Sequence, residues 1–234
     1  MTPHHNIAVI PARGGSKRIP RKNILSFGGQ PMLAYAIGAA LDSGLFEQVI
    51  VSTDDEEIAA VALAHGATRP FVRPADLADD QTPTVPVIAH AVQALRQAGQ
   101  APDHVCCIYP CVPFLRGRDL RAAYEQFVDS GAPYVYPVVA FHSSPYRAMR
   151  QLPSGQMEFL YPPFELTRTQ DLEPCFYDAG QFYWGRADAW VQGLRMHSSG
   201  SGWRIAAHRV VDIDTPDDWR RAELVRQALL DEGD

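Results

Sequence analysis

Lysine is almost missing from this chain. Its 234 residues carry 21 basic side chains, and only two of them, Lys17 and Lys22, are ammonium groups. Long apolar runs are missing too: no stretch approaches the ~18 residues of a membrane-spanning helix, so no membrane partner is expected. The four cysteines (Cys106, Cys107, Cys111 and Cys175) show no C-x-x-C spacing. Adjacent Cys106 and Cys107 lie in an apolar run and read as core thiols of a reducing compartment. No charged-then-apolar leader precedes the first strand, so a cytoplasmic protein is expected. Positive charge is short overall, with a net charge of −6. An acidic surface repels nucleic acid and anionic membranes, which excludes both as general partners.

Five of the basic residues are packed into Arg13-Gly14-Gly15-Ser16-Lys17-Arg18-Ile19-Pro20-Arg21-Lys22-Asn23, directly after the apolar run Ile7–Ile10. An ammonium is a compact point charge suited to phosphate, whereas guanidinium is a planar fork. Glycines let backbone N–H groups approach an anion closely, as Gly14 and Gly15 would here, with Arg13, Lys17 and Lys22 supplying charge. The loop reads as a polyphosphate cradle on an otherwise acidic protein. It contains neither G-x-x-x-x-G-K-[ST] nor G-x-G-x-x-G, so P-loop ATPase and dehydrogenase readings lose their support.

Composition is ordinary for a globular protein, 46% apolar and 21% charged, and the length suits one domain with an insertion. Strand patterns at Ile7–Ile10, Gln48–Ser52, His104–Tyr109 and Tyr134–Val139 alternate with helical patterns at Pro31–Ser43, Asp55–His65, Thr84–Gln97 and Arg118–Ser130. Gly44 and Gly66 supply stops. This order predicts an α/β fold, a doubly wound and mostly parallel sheet with helices on both faces, whose ligand binds at strand carboxyl ends. The rhythm breaks over 141–174, rich in Pro, Ser and aromatics, which we read as an inserted arm. It resumes with a strand Phe176–Gly185, a helix from about Arg186, a strand Ala206–Asp212 and a helix Pro216–Leu230.

Asp212 and Asp214 are two apart at the end of that last predicted strand, so both carboxylates face one side. Two convergent carboxylates together with phosphate oxygens make a Mg²⁺ site. Asp214 also stands where it could cap the final helix, and both roles remain open. Asp80, Thr82 and Thr84 open a helix, where capping and contact with a nucleotide are both available.

The stretch Ile7-Ala8-Val9-Ile10-Pro11-Ala12-Arg13-Gly14-Gly15-Ser16-Lys17, followed by Pro20-Arg21-Lys22-Asn23, resembles the signature of the CMP-sugar-acid synthetases. These cytidylyltransferases activate nine-carbon and eight-carbon acidic sugars. The resemblance continues through Val51–Ile58, Arg73-Pro74 and Val211–Pro216, nearly the whole chain. Cys106–Pro110, Arg168–Leu172 and Asp178–Trp184 are most similar to the branch that activates pseudaminic acid. The sialic acid branch usually carries Gln where Tyr109 stands and Asn-Gly-Ser-Phe where Ala179–Phe182 stands, so a different acceptor is implied, and the residue that meets cytosine is left open.

The resemblance implies a Rossmann-like nucleotidyltransferase fold, with the arm serving a homodimer. It implies CTP and an acidic nine-carbon sugar as partners and Mg²⁺ on Asp212 and Asp214. Catalysis falls to Arg13, Lys17, Lys22, Asp212 and Asp214. Nucleotide binding falls to Ala12, Arg13, Gly14, Gly15, Ser16, Lys22, Asn23, Arg73 and Thr84. Acceptor binding falls to Tyr109, Arg168, Gln170, Gln181, Phe182 and Tyr183, with one of the two rings Phe182 and Tyr183 buried and the other presented. The implied reaction joins CTP to pseudaminic acid with release of pyrophosphate. Sialic, legionaminic or 3-deoxy-manno-octulosonic acid are alternative acceptors. A non-catalytic nucleotide-binding homologue is a further alternative, and a sugar-1-phosphate nucleotidyltransferase is disfavoured because its x-x-x-R-[LM]-x-P-x-T pattern is missing.

Overall fold

A computed structural model describes residues 4–79 and 81–231, so Asp80 lies outside the described residues. The apolar run after the N-terminus forms β1 (Asn6–Pro11), and a small hairpin of β2 (Ser26–Phe27) and β3 (Gln30–Pro31) leads into α1 (Met32–Ser43). Gly44 ends α1 with φ 66°, the left-handed cap that glycine adopts without a Cβ penalty. Then come β4 (Gln48–Ser52), α2 (Glu56–Ala64), α3 (Thr84–Gln97), β5 (His104–Ile108), α4 (Gly117–Ser130) and β6 (Tyr134–Ala140).

In the 141–174 stretch a short hairpin of β7 (Met149–Gln151) and β8 (Met157–Phe159) stands apart from the main sheet. The chain returns through β9 (Phe176–Asp178) and β10 (Phe182–Arg186), and continues with α5 (Ala187–Val191), α6 (Met196–Ser199), β11 (Gly200–Arg204) and α7 (Pro216–Asp231).

The main sheet has seven strands in the order β11-β6-β10-β5-β1-β4, with β9 added on β6. β4, β1, β5, β6 and β11 run parallel, and β9 and β10 run against them. Strand alternation divides the core. Ala8, Ile10, Cys106, Ile108, Phe182 and Trp184 pack with α1 and α4 on one face. Ile7, Val9, Val105, Cys107 and Tyr183 pack with α3 and α5 on the other. The chain leaves β1 for β4 on one side and returns to β5 on the other. The β1/β5 carboxyl edge is therefore the switch point at which such sheets bind ligands.

Three expectations are corrected. Phe176–Gly185 is two strands separated by a turn at Gly180 (φ +62°). The strand expected at Ala206–Asp212 is absent; a 3-10 turn occupies Ala207–Arg209, and β11 forms earlier, from Gly200–Arg204. Both Phe182 and Tyr183 are buried, because β10 is an interior strand covered on both faces.

Gly117 shows how tightly the helices meet. A Cβ there would lie 2.7 Å from Ser43 N and 2.8 Å from Asp42 C at the end of α1. Overpacking against rigid backbone costs typically ~1–3 kcal/mol. Gly117→Ala is therefore expected to lower the stability by that amount, read as a lower urea midpoint with an unchanged m-value.

Candidate active site

A cleft of ≈ 520 Å³ opens at the carboxyl ends of β1 and β5. Pro11, Arg13, Ser16, Lys17, Arg18, Lys22 and Asn23 line one side, Leu77, Thr84, Val87 and Tyr109 another, and Asp214 closes the floor near Lys22. The N-terminal cationic loop and Asp214, which lies 192 residues after Lys22, thus border one cavity, while Asp212 is not among its lining residues.

The loop is held by hydrogen bonds to its flanks. Asn23 is buried, and its Nδ2 donates to the Arg13 carbonyl (2.9 Å), so it fastens the loop back on itself while also lining the cleft. Arg21, the single non-glycine residue with positive φ among those described (56°), turns its guanidinium onto Asp55 (2.5 and 3.1 Å) and Glu57. Asp55 in turn caps α2 by accepting from Ile58 N (2.9 Å). A left-handed arginine is unfavourable by itself and persists only where its surroundings over-determine it.

The expected approach of the Gly14 amide to an anion is corrected: that N–H donates to Asp54 Oδ1 (3.2 Å), and a Cβ on Gly14 would sit 2.7 Å from Asp55 Oδ2. Gly14 is needed for close packing on α2, whereas Gly15 faces open space. Ala12 is core, with its N–H on Ser52 O (3.0 Å).

The Arg21 guanidinium holds the Asp55 carboxyl down at about 2, against an ordinary 3.8. A carboxylate depressed in the folded state stabilises above its unfolded pKa, and that stability is lost as pH falls through the folded value. Asp55 thus contributes fully above about pH 4 and loses its contribution toward pH 2, on the order of 2 kcal/mol. Urea titrations across pH 2–5 are expected to show this step in the parent chain and not in Asp55→Asn.

Arg73 lines the cleft from below β4 although it is buried; Nε donates to Ser52 Oγ (3.2 Å) and Nη2 to Ser52 O (2.5 Å). Burial lowers its pKa to about 10, which leaves it charged at neutral pH. Lys22 Nζ donates to Ile213 O (2.6 Å) and pairs with Asp214 Oδ1 (3.3 Å), while Arg18 pairs with Asp214 Oδ2 (2.8 Å). Arg13 donates to the Asp79 carbonyl (2.5 Å), and Thr84 Oγ1 meets the Tyr109 hydroxyl at 2.7 Å.

Asp212 and Asp214 do share a side, though no strand imposes it. Val211 and Ile213 are buried while Asp212 and Asp214 face outward in alternation. The Asp212 carboxyl is raised by desolvation and then by the Asp214 charge. Asp212 is exposed overall, so the crowding by Asp214 is the telling part. Two hard oxygen donors, with no cluster of three or more His, Cys, Asp or Glu among the described residues, suit an ion that takes its remaining ligands from water and phosphate.

The acceptor set is not brought together. Tyr109 lines the cleft, but Gln181 is buried with Nε2 on Arg209 O (3.0 Å), Phe182 is core, and Tyr183 turns its hydroxyl onto Asp178 (2.6 Å). Arg168 and Gln170 are exposed on the arm, where Arg168 forks onto Asp171 (2.7 and 3.2 Å), and neither lines the cleft. Sequence reading missed Arg18 and Asp79 at the cleft, and Asp54 and Asp55 as loop supports. Asp54 and Asp55 stand where the Asp55–His65 helical pattern begins, so a helix start explains them in the sequence alone.

A family model described as Cytidylyltransferase matches residues 7–151. Pseudaminic acid cytidylyltransferases from two strains of Campylobacter jejuni are 39% and 40% identical over 223 residues, covering 94% of this chain and 95% of each relative. A CMP-N,N'-diacetyllegionaminic acid synthase of Legionella pneumophila is 30% identical, with 96% and 99% covered. Among solved structures, a CMP:2-keto-3-deoxy-manno-octonic acid synthetase complexed with CTP is similar at TM-score 0.71 and 19% identity, covering 96% of this chain and 99% of that one.

Proposed function

The chain belongs to the cytidylyltransferase family, and from that premise we propose that it makes CMP-pseudaminic acid and pyrophosphate from CTP and pseudaminic acid. One observation carries the reading: the cationic loop and Asp214 meet at the switch-point cleft. The anomeric hydroxyl oxygen bonds to the α-phosphorus in line, the bond to pyrophosphate breaks, and the hydroxyl proton is released. No covalent enzyme intermediate is required, so the protein's work is positioning and charge stabilisation.

Arg13, Lys17 and Lys22 hold the triphosphate and stabilise charge building on the leaving pyrophosphate. Ser16, Gly15 and Asn23 shape the loop around it, while Arg73 and Thr84 meet the nucleoside. Asp212 and Asp214 would hold Mg²⁺, which when bound neutralises phosphate oxygens and acidifies the attacking hydroxyl. Relatives named for pseudaminic acid at 39–40% identity, against 30% for the legionaminic relative, support the choice of acid.

The site is completed by a second copy of the chain in this reading. The arm exposes Met149, Met157, Leu160, Tyr161 and Leu166, an apolar set that a partner would cover. Arg168 and Gln170 would then reach the acceptor carboxylate of the neighbouring subunit. Such an enzyme works in the cytoplasm; among the described residues no helix is long and apolar enough to cross a membrane.

The test is a pyrophosphate-release screen of CTP and Mg²⁺ against a panel of nonulosonic acids, with sedimentation velocity alongside. Turnover on pseudaminic acid well above the others is expected from a dimer. Faster turnover on another acid would move the enzyme to that substrate, and no release with any acid would sink the catalytic reading.

A further inference from the structure

One carboxylate at the floor of the cleft is shared between two basic side chains. Asp214 Oδ1 pairs with Lys22 Nζ at 3.3 Å, and Oδ2 pairs with Arg18 Nη2 at 2.8 Å. Each oxygen therefore already meets a positive charge. A divalent cation taking the same carboxylate is repelled by both, because like charges a few ångströms apart raise the free energy of each. Arg18 and the cation compete for one oxygen.

The two basic residues differ in how firmly they are held. The Lys22 side chain is 19% exposed and donates a second bond to Ile213 O at 2.6 Å, so backbone and carboxylate fix it together. The Arg18 side chain is 66% exposed, and exposed side chains change rotamer within picoseconds to nanoseconds. Arg18 also lines the cleft with Arg13, Ser16, Lys17 and Lys22. Its guanidinium borders both the Asp214 carboxylate and the space that the cationic loop surrounds. A phosphate group there matches the planar fork with two parallel bonds. An exposed arginine–carboxylate pair is weak by comparison.

We propose that Arg18 is an exchangeable partner of Asp214, which leaves the carboxylate for the triphosphate when CTP binds and so couples nucleotide binding to cation binding at Asp214. This rests on the reading of the cleft as a CTP and Mg²⁺ site and specifies how its two ligands cooperate. The nucleotide draws away one of the two charges that oppose the cation. By linkage, each ligand then tightens the other by the same factor. Arg18 supplies its share of that factor through the pair it gives up, whereas Lys22 stays in place.

Arg18→Met removes the charge and keeps an unbranched apolar stem. Exchange gives this variant a distinctive sign. Were Arg18 there to orient Asp214 for the cation, its loss would weaken cation binding; under exchange its loss strengthens it. A change in overall charge would also strengthen cation binding, but equally with and without nucleotide. Exchange confines the gain to the nucleotide-free protein, because with CTP bound Arg18 has already left Asp214.

The experiment is a binding cycle on the full chain, parent against Arg18→Met, with no acceptor acid present and hence no turnover. Mn²⁺ is the probe, and its free fraction is read by electron paramagnetic resonance. CTP binding is followed by calorimetry, once in EDTA and once as the Mn²⁺ complex added to protein saturated with Mn²⁺. Without nucleotide, Arg18→Met binds Mn²⁺ about two- to fivefold more tightly than the parent, the worth of one largely exposed ion pair. Its loss of CTP affinity at saturating Mn²⁺ exceeds its loss in EDTA by the same factor. Unchanged or weaker Mn²⁺ binding by the variant overturns the proposal, and so does an equal change in CTP affinity under the two conditions. Arg18→Gln repeats the cycle, so a folding defect in one variant leaves the other to decide. A parent that binds no Mn²⁺ even with CTP removes the magnesium reading and this proposal together. A parent that binds both ligands, with variants that match it, removes the role of Arg18 alone.

Discussion

Lys22→Ala slows pyrophosphate release at saturating CTP by ~10²-fold or more, the scale of losing one preorganised donor to the transition state. Lys22 is one of two lysines in a chain that otherwise uses arginine. Its side chain is only 19% exposed, and it spans the loop and the aspartate segment through Ile213 O and Asp214. Two losses therefore coincide in the variant. Charge leaves the phosphate end of the cleft, and Asp214 keeps only Arg18 of its two cationic partners.

Lys22→Arg separates them. It restores charge, but a planar fork cannot place one compact donor between a carbonyl and a carboxylate, so it is expected to recover only part of the rate. Single-turnover measurements with bound CTP place the effect on the chemical step, and turnover of Lys22→Ala near that of the parent would remove Lys22 from the catalytic set.

How far the cleft could be read from sequence differs by residue. The loop after β1 was legible because an apolar run, two glycines and clustered cations carry the signal within about a dozen neighbouring positions. The shared outward face of Asp212 and Asp214 was legible for a reason that survived the loss of its premise, although only Asp214 lines the cleft. No ladder forms there, yet Val211 and Ile213 still bury and turn both carboxylates outward.

β11 was invisible. Its Gly200–Arg204 sequence has weak strand propensity, and what makes it a strand is the packing surface it meets. A Cβ at Gly200 would lie 2.8 Å from Tyr136 Cε1, and one at Gly202 would lie 2.8 Å from Val138 Cγ2, so glycine is what lets this strand dock on β6. Gln181 and Tyr183 were misjudged because their partners, Arg209 O and Asp178, are fixed by tertiary packing.

Asp119→Ala costs about 3–5 kcal/mol of stability, because removing one member of a buried ion pair leaves the other charge buried with no counter-charge. Asp119 in α4 and Arg209 are both buried, and their fork is bidentate, with Nη1 on Oδ1 at 2.8 Å and Nη2 on Oδ2 at 2.5 Å. Arg209 also donates to Phe114 O (3.0 Å), and Asp119 Oδ2 accepts from Arg116 N (3.0 Å). Urea unfolding of the variant is expected to show a lower midpoint with little change in slope. At roughly 2–4 °C per kcal/mol for a domain of this size, the melting point falls by about 6–20 °C.

The double variant Asp119→Leu/Arg209→Met discriminates between causes. If the loss comes from a stranded charge, replacing both partners by apolar groups recovers most of it; if the attraction itself supplies the stability, the double variant stays as weak as the single. Activity is expected to divide the other way. Arg209 lies three residues before Asp212 and five before Asp214, so this fork moors the segment that carries both carboxylates to α4. The apolar pair restores the fold without the fixed fork geometry, and misplacement of a catalytic group by about 1 Å costs up to ~10²-fold in rate. Recovered stability with turnover still depressed is the expected outcome. Full recovery of turnover would show that the contacts of Asp214 with Lys22 and Arg18 hold the segment without the fork.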